Sequence, residues 1–592
     1  MGRENQMKII QSNTIFLEIS KLLEKAINNT FDQVNMSQSE IYKLITDAPN
    51  FKMGHFAFPC FPLAKICKMA PPQIAGKIIE QLENSSIVKE AKAVGPYINF
   101  FINPNGLGEN VLEKIINGQF FKIKLIEAPL KTMIEYSQPN THKEMHVGHM
   151  RNLCLGNALV ELHKYTGHEI RPVTYPGDMG THVAKCLWYL KTKYKGEIPS
   201  ENKGAWLGKM YSEGNILLED ELGGPNEEQN RKELTDILKQ LEKGEGEYFD
   251  LWKETKQWSI DLMNEAYSWA DVKFDRWFFE SEVDTESLNL AKKLYADGVL
   301  VESEGAIGMD LKNENLGFCL LIKSDGNGLY ATKDVELARR KFEEFGIEKS
   351  IYVVDNRQTL HFKQVFKVLE KIGFEQVNNC YHLPYEMVEL TDGAMSSRKG
   401  NVVPLMDLIK QMESTITQNY LEKYRGDWSD EEIKEVARIV ANGAIKYGMI
   451  RVDNNRKIVF EMGEWLKLDG ETGPYLQYVC ARINSLLKKQ DYNINDKINW
   501  SSLIKDEELA LMIKISKFND ICVNACEGHK TNLLTSYLYE LGKLFNSFYA
   551  ECSIANAESD EIKKARMALS NSTYKIMKQG LANLGIPTPE RM

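Results

Sequence analysis

The sequence predicts a multidomain α/β protein. A parallel-sheet domain carrying a helical insertion lies between a small N-terminal α/β unit and an all-helical C-terminal bundle. Three observations carry this. Residues 131–178 read strand, tight loop, helix, strand, a βαβ unit that implies a parallel sheet with its ligand at the strand C-termini. Residues 191–250 hold 9 Lys and Arg against 14 Asp and Glu between helical stretches. After about residue 430, strand patterns give way to apolar residues at a period near 3.6.

The elements follow in chain order. Ile15, Leu17, Ile19, Leu22, Leu23 and Ala26 fall at helical spacing, and PYINFFIN at 96–103 alternates as a strand does. KTMIEYS at 131–137 is a short strand ended by QPNTHKE. The next helix carries Met150, Cys154, Ala158 and Leu162 on one face and closes at Gly167, before a second strand in 169–178. The acidic stretch, with its GGPNEE and GEGEY breaks, reads as a solvated insertion over about 191–260. The apolar strand core returns at FCLLI (318–322) and SIYVVD (350–355), separated by a helix through Ala338. EEIKEVARIVANGAIKYGMI and TSYLYELGKLFNSFYAECSI then build the bundle. The division expected is 1–125, 126–465 and 466–592.

Composition excludes several classes. In 592 residues, 43% hydrophobic and 10% aromatic, a globular state is expected over disorder. The net charge of −10 excludes a polycationic tail binder, so any nucleic acid must meet a local basic face. Ten cysteines without a C-x-x-C pair suit a reduced, cytoplasmic protein. Cys522, Cys526 and His529 have helical spacing and read as core rather than metal ligands. No segment reaches the ~20 apolar residues of a membrane span, and no signal peptide is expected.

Six of the ten histidines lie between His142 and His182, and the sharpest element is His146-Val147-Gly148-His149 at a helix start. A helix N-terminus offers unpaired N–H groups to a polyphosphate. Two imidazoles three residues apart can donate to charge developing on phosphate oxygens. Gly148 leaves room for a flat base against the backbone. By spacing alone a structural role competes equally, and His142, His146 and His149 could instead hold a metal. Downstream, TDGAMSSRKGNVV (391–403) is a Gly-flanked, Ser-rich basic loop whose Arg398 and Lys399 could clamp phosphates, with Ser396 and Ser397 bonding them.

Taken together, these blocks resemble the arginyl-tRNA synthetases, a class I aminoacyl-tRNA synthetase family, over nearly the whole chain. HVGH is similar to the HIGH signature and MSSRKGN to the family's variant of the KMSKS loop. EYSQPNTHKEMHVGHMRN, YPGDMGTH, GLYATKD, VVDNRQTLHFKQ, GPYLQYVCARI and LGIPTPERM resemble further family blocks, in family order.

The resemblance implies a Rossmann-like catalytic domain that activates arginine with magnesium-bound ATP and transfers it to the 3′-terminal adenosine of tRNA-Arg. ATP would meet His146, Gly148, His149, Met395, Ser396, Ser397, Arg398 and Lys399. The arginine pocket maps onto Glu135, Asn140, Tyr330, Asp334 and Gln358. A guanidinium wants planar carboxylate partners, and two buried carboxylates without a cation are costly, which favours a cationic ligand. In their bland readings Tyr330 is core and Asp334 pairs with Lys333 or Arg340. The loop departs from the usual pattern, with Ala394 and Ser397 at its two lysine positions. Family members with such loops compensate with a lysine upstream of HIGH, here Lys143, aided by Lys399. The resemblance places Tyr97 and Asn99 at the tRNA elbow, and Tyr475, Tyr478, Tyr549 and Met592 around the anticodon. It further implies a tRNA-dependent first step, a monomer, and no resident protein metal. Two other readings stand beside it: a HIGH-type nucleotidyltransferase acting without tRNA, and a catalytically silent tRNA-binding paralogue.

Overall fold

The computed structural model describes residues 9–391, 393–394, 403–490, 492–493 and 495–592. Helix α1 (Thr14–Thr30) starts where Asn13 accepts the Ile15 and Phe16 N–H groups, a side-chain cap on otherwise orphan donors. It buries Ile15, Ile19, Leu22 and Leu23. Beside it lies an antiparallel sheet of order β1-β2-β4-β3, with β1 (Thr46–Asp47), β2 (Phe56–Pro59), β3 (Val88–Val94) and β4 (Tyr97–Ile102). Phe16 meets Phe56 edge-on at 5.1 Å.

The central sheet is wholly parallel, with β5 (Lys131–Glu135), β6 (Glu169–Thr174), β7 (Arg276–Trp277), β11 (Lys349–Asp355) and β12 (Cys380–Tyr385) in the order β12-β11-β5-β6-β7. Its order reverses between β5 and β11, and a crevice opens at such a switch point beyond the strand C-termini. Helix α2 (Val147–Thr166) connects β5 to β6 and is buried on most sides, from Val147 to Thr166. Gly156 lets it reach the sheet, since an added Cβ would lie 2.1 Å from Cγ of Tyr136. It stops at Gly167, whose φ of 107° suits glycine.

The insertion forms α3 (Lys203–Asp220), α4 (Glu227–Lys243) and α5 (Glu247–Trp269), so its helices run on past the expected limit of 260. Its Ile237, Leu241 and Trp252 pack in one cluster with Val183, Leu187 and Trp188 of the helix Thr181–Trp188 that precedes it. Asp178 pins it to the sheet, accepting from Lys256 Nζ at 2.6 Å and from Ser281 Oγ at 2.6 Å.

Two expectations are corrected here. FCLLI does form a strand, but not in the parallel sheet. Strand β10 (Gly317–Ile322) joins β8 (Val301–Ser303) and β9 (Ala306–Leu311) in a separate antiparallel sheet. Its apolar residues meet helices α6 (Glu280–Ala296), α7 (Tyr330–Phe345) and α8 (Thr359–Lys371). Strands also do not vanish after residue 430. β13 (Val388–Leu390) pairs with β14 (Gly393–Ala394) and, in parallel, with β15 (Ile458–Phe460).

The C-terminal bundle includes α9 (Asp430–Ile450), α10 (Gly473–Lys489), α11 (Thr531–Glu551) and α12 (Asp560–Ala582). Cys522 and Cys526 lie in its core, buried. Lys446 is fully buried and donates to Asn157 Oδ1 of α2 at 3.1 Å and to the Gly585 carbonyl at 2.5 Å. Burial lowers its pKa to about 8. Among the described residues, no helix is long and apolar enough to cross a membrane.

Candidate active site

The crevice at the switch point is a cavity of about 570 Å³. Strand β5 and the loop after it bring Asn140, α2 brings His146, Gly148 and His149, α7 brings Tyr330 and Asp334, and the turn after β11 brings Gln358. Seven of the expected site residues thus share one cavity. The close approach of Asn140 requires a glycine opposite, since a Cβ on Gly177 would lie 2.4 Å from Asn140 Oδ1.

The two signature histidines cap their own helix. His146 Nδ1 accepts from Gly148 N at 3.1 Å, and His149 Nδ1 accepts from His146 N at 3.1 Å. An imidazole that accepts at Nδ1 while neutral carries its proton on Nε2 and so offers a donor there, a tautomer assigned from the hydrogen bonds. Burial, then the Lys143 charge, lowers His146 to a pKa of about 4. Burial, followed by His146 and Lys143, holds His149 well below its usual range. The rings lie 3.9 Å apart, a pair of neutral donors at a helix N-terminus.

Glu135 departs from expectation. It is buried at the end of β5, forms an ion pair with the fully buried Lys341, and accepts from Gln138 Nε2 at 3.2 Å. The argument from two buried carboxylates lacking a cation therefore fails for Glu135, and this residue does not line the cavity. Asp334 pairs with His361 rather than with Lys333 or Arg340. Burial opposes protonation of His361, yet the Asp334 carboxylate leaves its pKa raised. Tyr330 is 60% exposed rather than core.

Glu280, at the first turn of α6, is a cavity residue that the sequence reading missed. Burial first, with Asp178 and Asp334 adding like charge against Lys333, raises its pKa to about 7. In sequence it is one acid among several in FFESEVDTE, indistinguishable from an ordinary helix-start carboxylate.

Lys143 lies in an adjoining cavity of about 410 Å³ that also touches His146 and His149. Met395, Ser396, Ser397, Arg398 and Lys399 lie outside the described residues. His142 is buried with Nε2 2.8 Å from Thr255 Oγ1, a structural contact. Among the described residues, no three His, Cys, Asp or Glu side chains group so as to hold a metal.

The residues expected to meet tRNA fall in two places. Tyr97 is 38% exposed at the start of β4. Asn99 is buried, and its amide donates to the Met53 carbonyl at 2.9 Å. On the bundle, Tyr478 is 37% exposed, whereas Tyr475 is buried and its hydroxyl accepts from Asn546 Nδ2 at 2.9 Å. Tyr549 lies under the Arg482 guanidinium at 4.4 Å, and the Met592 carbonyl accepts from the Tyr424 hydroxyl at 3.4 Å.

Comparison with known proteins adds three family matches. A model described as tRNA synthetases class I (R), catalytic domain, matches residues 111–462. The DALR anticodon binding domain matches 476–592, and the arginyl tRNA synthetase N terminal domain matches 17–102. The chain is 53% identical over 584 residues to an arginine–tRNA ligase of Bdellovibrio bacteriovorus, covering 99% of this chain and all of that one. It is 34% identical to the arginine–tRNA ligase of Halothermothrix orenii, over 96% of this chain and 99% of the relative. Among solved structures it is similar to the arginyl-tRNA synthetase of Thermus thermophilus, with a TM-score of 0.79 at 25% identity over 97% of this chain and 99% of that one. A Plasmodium falciparum arginyl-tRNA synthetase shares the fold at 22% identity, with a TM-score of 0.76 over 98% and 100% of the two chains.

Proposed function

From the premise that the chain belongs to the class I arginyl-tRNA synthetase family, and so ligates arginine to tRNA using ATP, we propose a division of labour among its own residues. The observation that carries it is the convergence of Asn140, His146, His149, Tyr330, Asp334 and Gln358 on one cavity at the sheet's switch point. Asp334 and Glu280 face the guanidinium, with Tyr330 alongside. Glu135, fixed by Lys341, serves from beneath through Gln138. Asn140 and Gln358 hold the α-amino and carboxylate groups. The adenine and ribose lie along Gly148, and the Nε2–H donors of His146 and His149 meet the phosphates.

Two in-line displacements follow. The arginine carboxylate oxygen attacks the α-phosphorus of ATP and pyrophosphate leaves. A hydroxyl of the terminal tRNA ribose then attacks the arginyl carbonyl and AMP leaves. Neither step needs a covalent intermediate on the protein, so the residues act by positioning and by stabilising charge. Magnesium would enter with the ATP substrate and neutralise phosphate charge, and no residue is assigned to it. Lys143, with Lys399, stabilises the phosphates in place of the lysines that Ala394 and Ser397 replace. Tyr97 and Asn99 serve the tRNA elbow, and Tyr478, Tyr549, Met592 and the more buried Tyr475 serve the anticodon. We further propose a cytoplasmic monomer divided at about residues 125 and 465.

The testing experiment is arginine-dependent ATP–pyrophosphate exchange, run with and without total tRNA. Exchange that appears only with tRNA supports the whole scheme. Exchange without tRNA keeps the ligase but removes tRNA dependence from the first step. No exchange from folded protein in either condition defeats the site assignment.

The raised Glu280 pKa gives a pH dependence. A bound guanidinium favours the ionised carboxylate, so below pH 7 arginine must displace a proton to bind. The KM for arginine should therefore fall as pH rises from 6 to 8, by at most about tenfold per unit below pH 7, and then level. A flat KM across that range would remove Glu280 from the guanidinium.

A further inference from the structure

The acidic insertion touches the catalytic centre through one face of α3. Gly208 allows the contact, because a Cβ there would lie 2.8 Å from the Glu144 backbone nitrogen. One turn along, the buried Tyr211 turns its ring toward Lys143, whose ammonium lies 4.8 Å from the ring centroid. Both line the 410 Å³ cavity together with His146 and His149 from the signature turn and Ser212 from α3. Tyr211 is itself fixed among Leu207, Met210, Cys186 and Trp258. Lysine has a long flexible stem, and an aromatic face attracts its ammonium without neutralising it. The ring contact places the ammonium on the side of the turn where both imidazoles lie.

We propose that Tyr211 is a positioning residue for the first chemical step, holding Lys143 beside His146 and His149, so that the insertion contributes to catalysis. This rests on the assignment of Lys143 to the ATP phosphates. It also gives the insertion a role that its surface charge does not reveal. Most of the acidic residues are exposed, while the helix face against the turn offers a glycine, an aromatic ring and a hydroxyl.

The test uses the full-length protein and tRNA-supported ATP–pyrophosphate exchange for Tyr211→Phe, Tyr211→Leu, Lys143→Met and the double variant Tyr211→Leu/Lys143→Met. Tyr211→Phe keeps the ring and should exchange within about twofold of the parent. Tyr211→Leu should lose roughly tenfold in kcat with the KM for arginine unchanged. The double variant should lose clearly less than the product of the two single losses, because the ring then has no Lys143 ammonium to position. Fluorinating the phenylalanine ring at position 211 keeps its shape and weakens its attractive face. Its exchange should fall in the same direction as Tyr211→Leu, which covers the case where leucine disturbs folding. A parental rate in both Tyr211→Leu and the fluorinated protein, or losses that simply multiply in the double variant, would overturn the proposal. A parental rate in Lys143→Met would instead defeat the lysine assignment itself, a failure seen separately from any effect at Tyr211.

Discussion

His149→Ala is expected to slow ATP–pyrophosphate exchange by roughly 10²–10³-fold, the consequence of removing one donor aimed at a transition state, about 3–4 kcal/mol. The size follows from how the ring is held. Its Nδ1 accepts from the His146 N–H, which leaves Nε2 as the ring's donor, and burial keeps the ring neutral. A neutral donor fixed in advance pays no reorganisation when charge develops on the phosphates. The same substitution also removes a helix-capping acceptor, which is worth about 1 kcal/mol of stability. Exchange rate and melting temperature together separate the two effects. A rate within threefold of the parent, with lowered stability, would reduce His149 to a cap.

Lys341→Met should destabilise the catalytic unit by about 3–5 kcal/mol, because it leaves the Glu135 carboxylate buried without its cation. The ammonium also lies 4.2 Å from the Tyr352 ring centroid, so that packing is lost with it. Adding Glu135→Gln should recover a good part of the loss, since the lone charge then disappears. The chain has several units, so the readout is the midpoint of the catalytic unit's own unfolding transition rather than one global free energy. Equal midpoints for parent and Lys341→Met would show that the carboxylate finds water or another partner.

Local pattern made much of this architecture legible. The strand at Lys131–Glu135, the helix Val147–Thr166 and its glycine stop all follow from residue periodicity and one helix-ending residue. The match of HVGH to a helix N-terminus was equally local. What escaped was tertiary. An apolar run such as FCLLI announces a strand but not the sheet it joins. Ile458–Phe460, three residues long, is too short to show alternation. Glu135 and Lys341 lie 206 positions apart, and no spacing rule links them. Asp334 chose His361 over the lysine beside it because Lys333 turns to Glu280 and Asp284, at 3.5 and 3.1 Å. Glu280 was hidden for the same reason. A first-turn acid and a ligand-facing acid look alike until the neighbouring elements are placed.

The buried Lys446 sets an order of events during synthesis. Its acceptor at Gly585 is made 139 residues later than the lysine itself. At about 5–20 residues per second, that separates the two by roughly 7–28 s on the ribosome. For that interval Lys446 and its helix α9 exist without the Gly585 carbonyl that joins Asn157 of the signature helix around the ammonium. The junction between α9 and the signature helix is therefore completed from downstream, and a nascent chain stalled before Gly585 would lack that second acceptor.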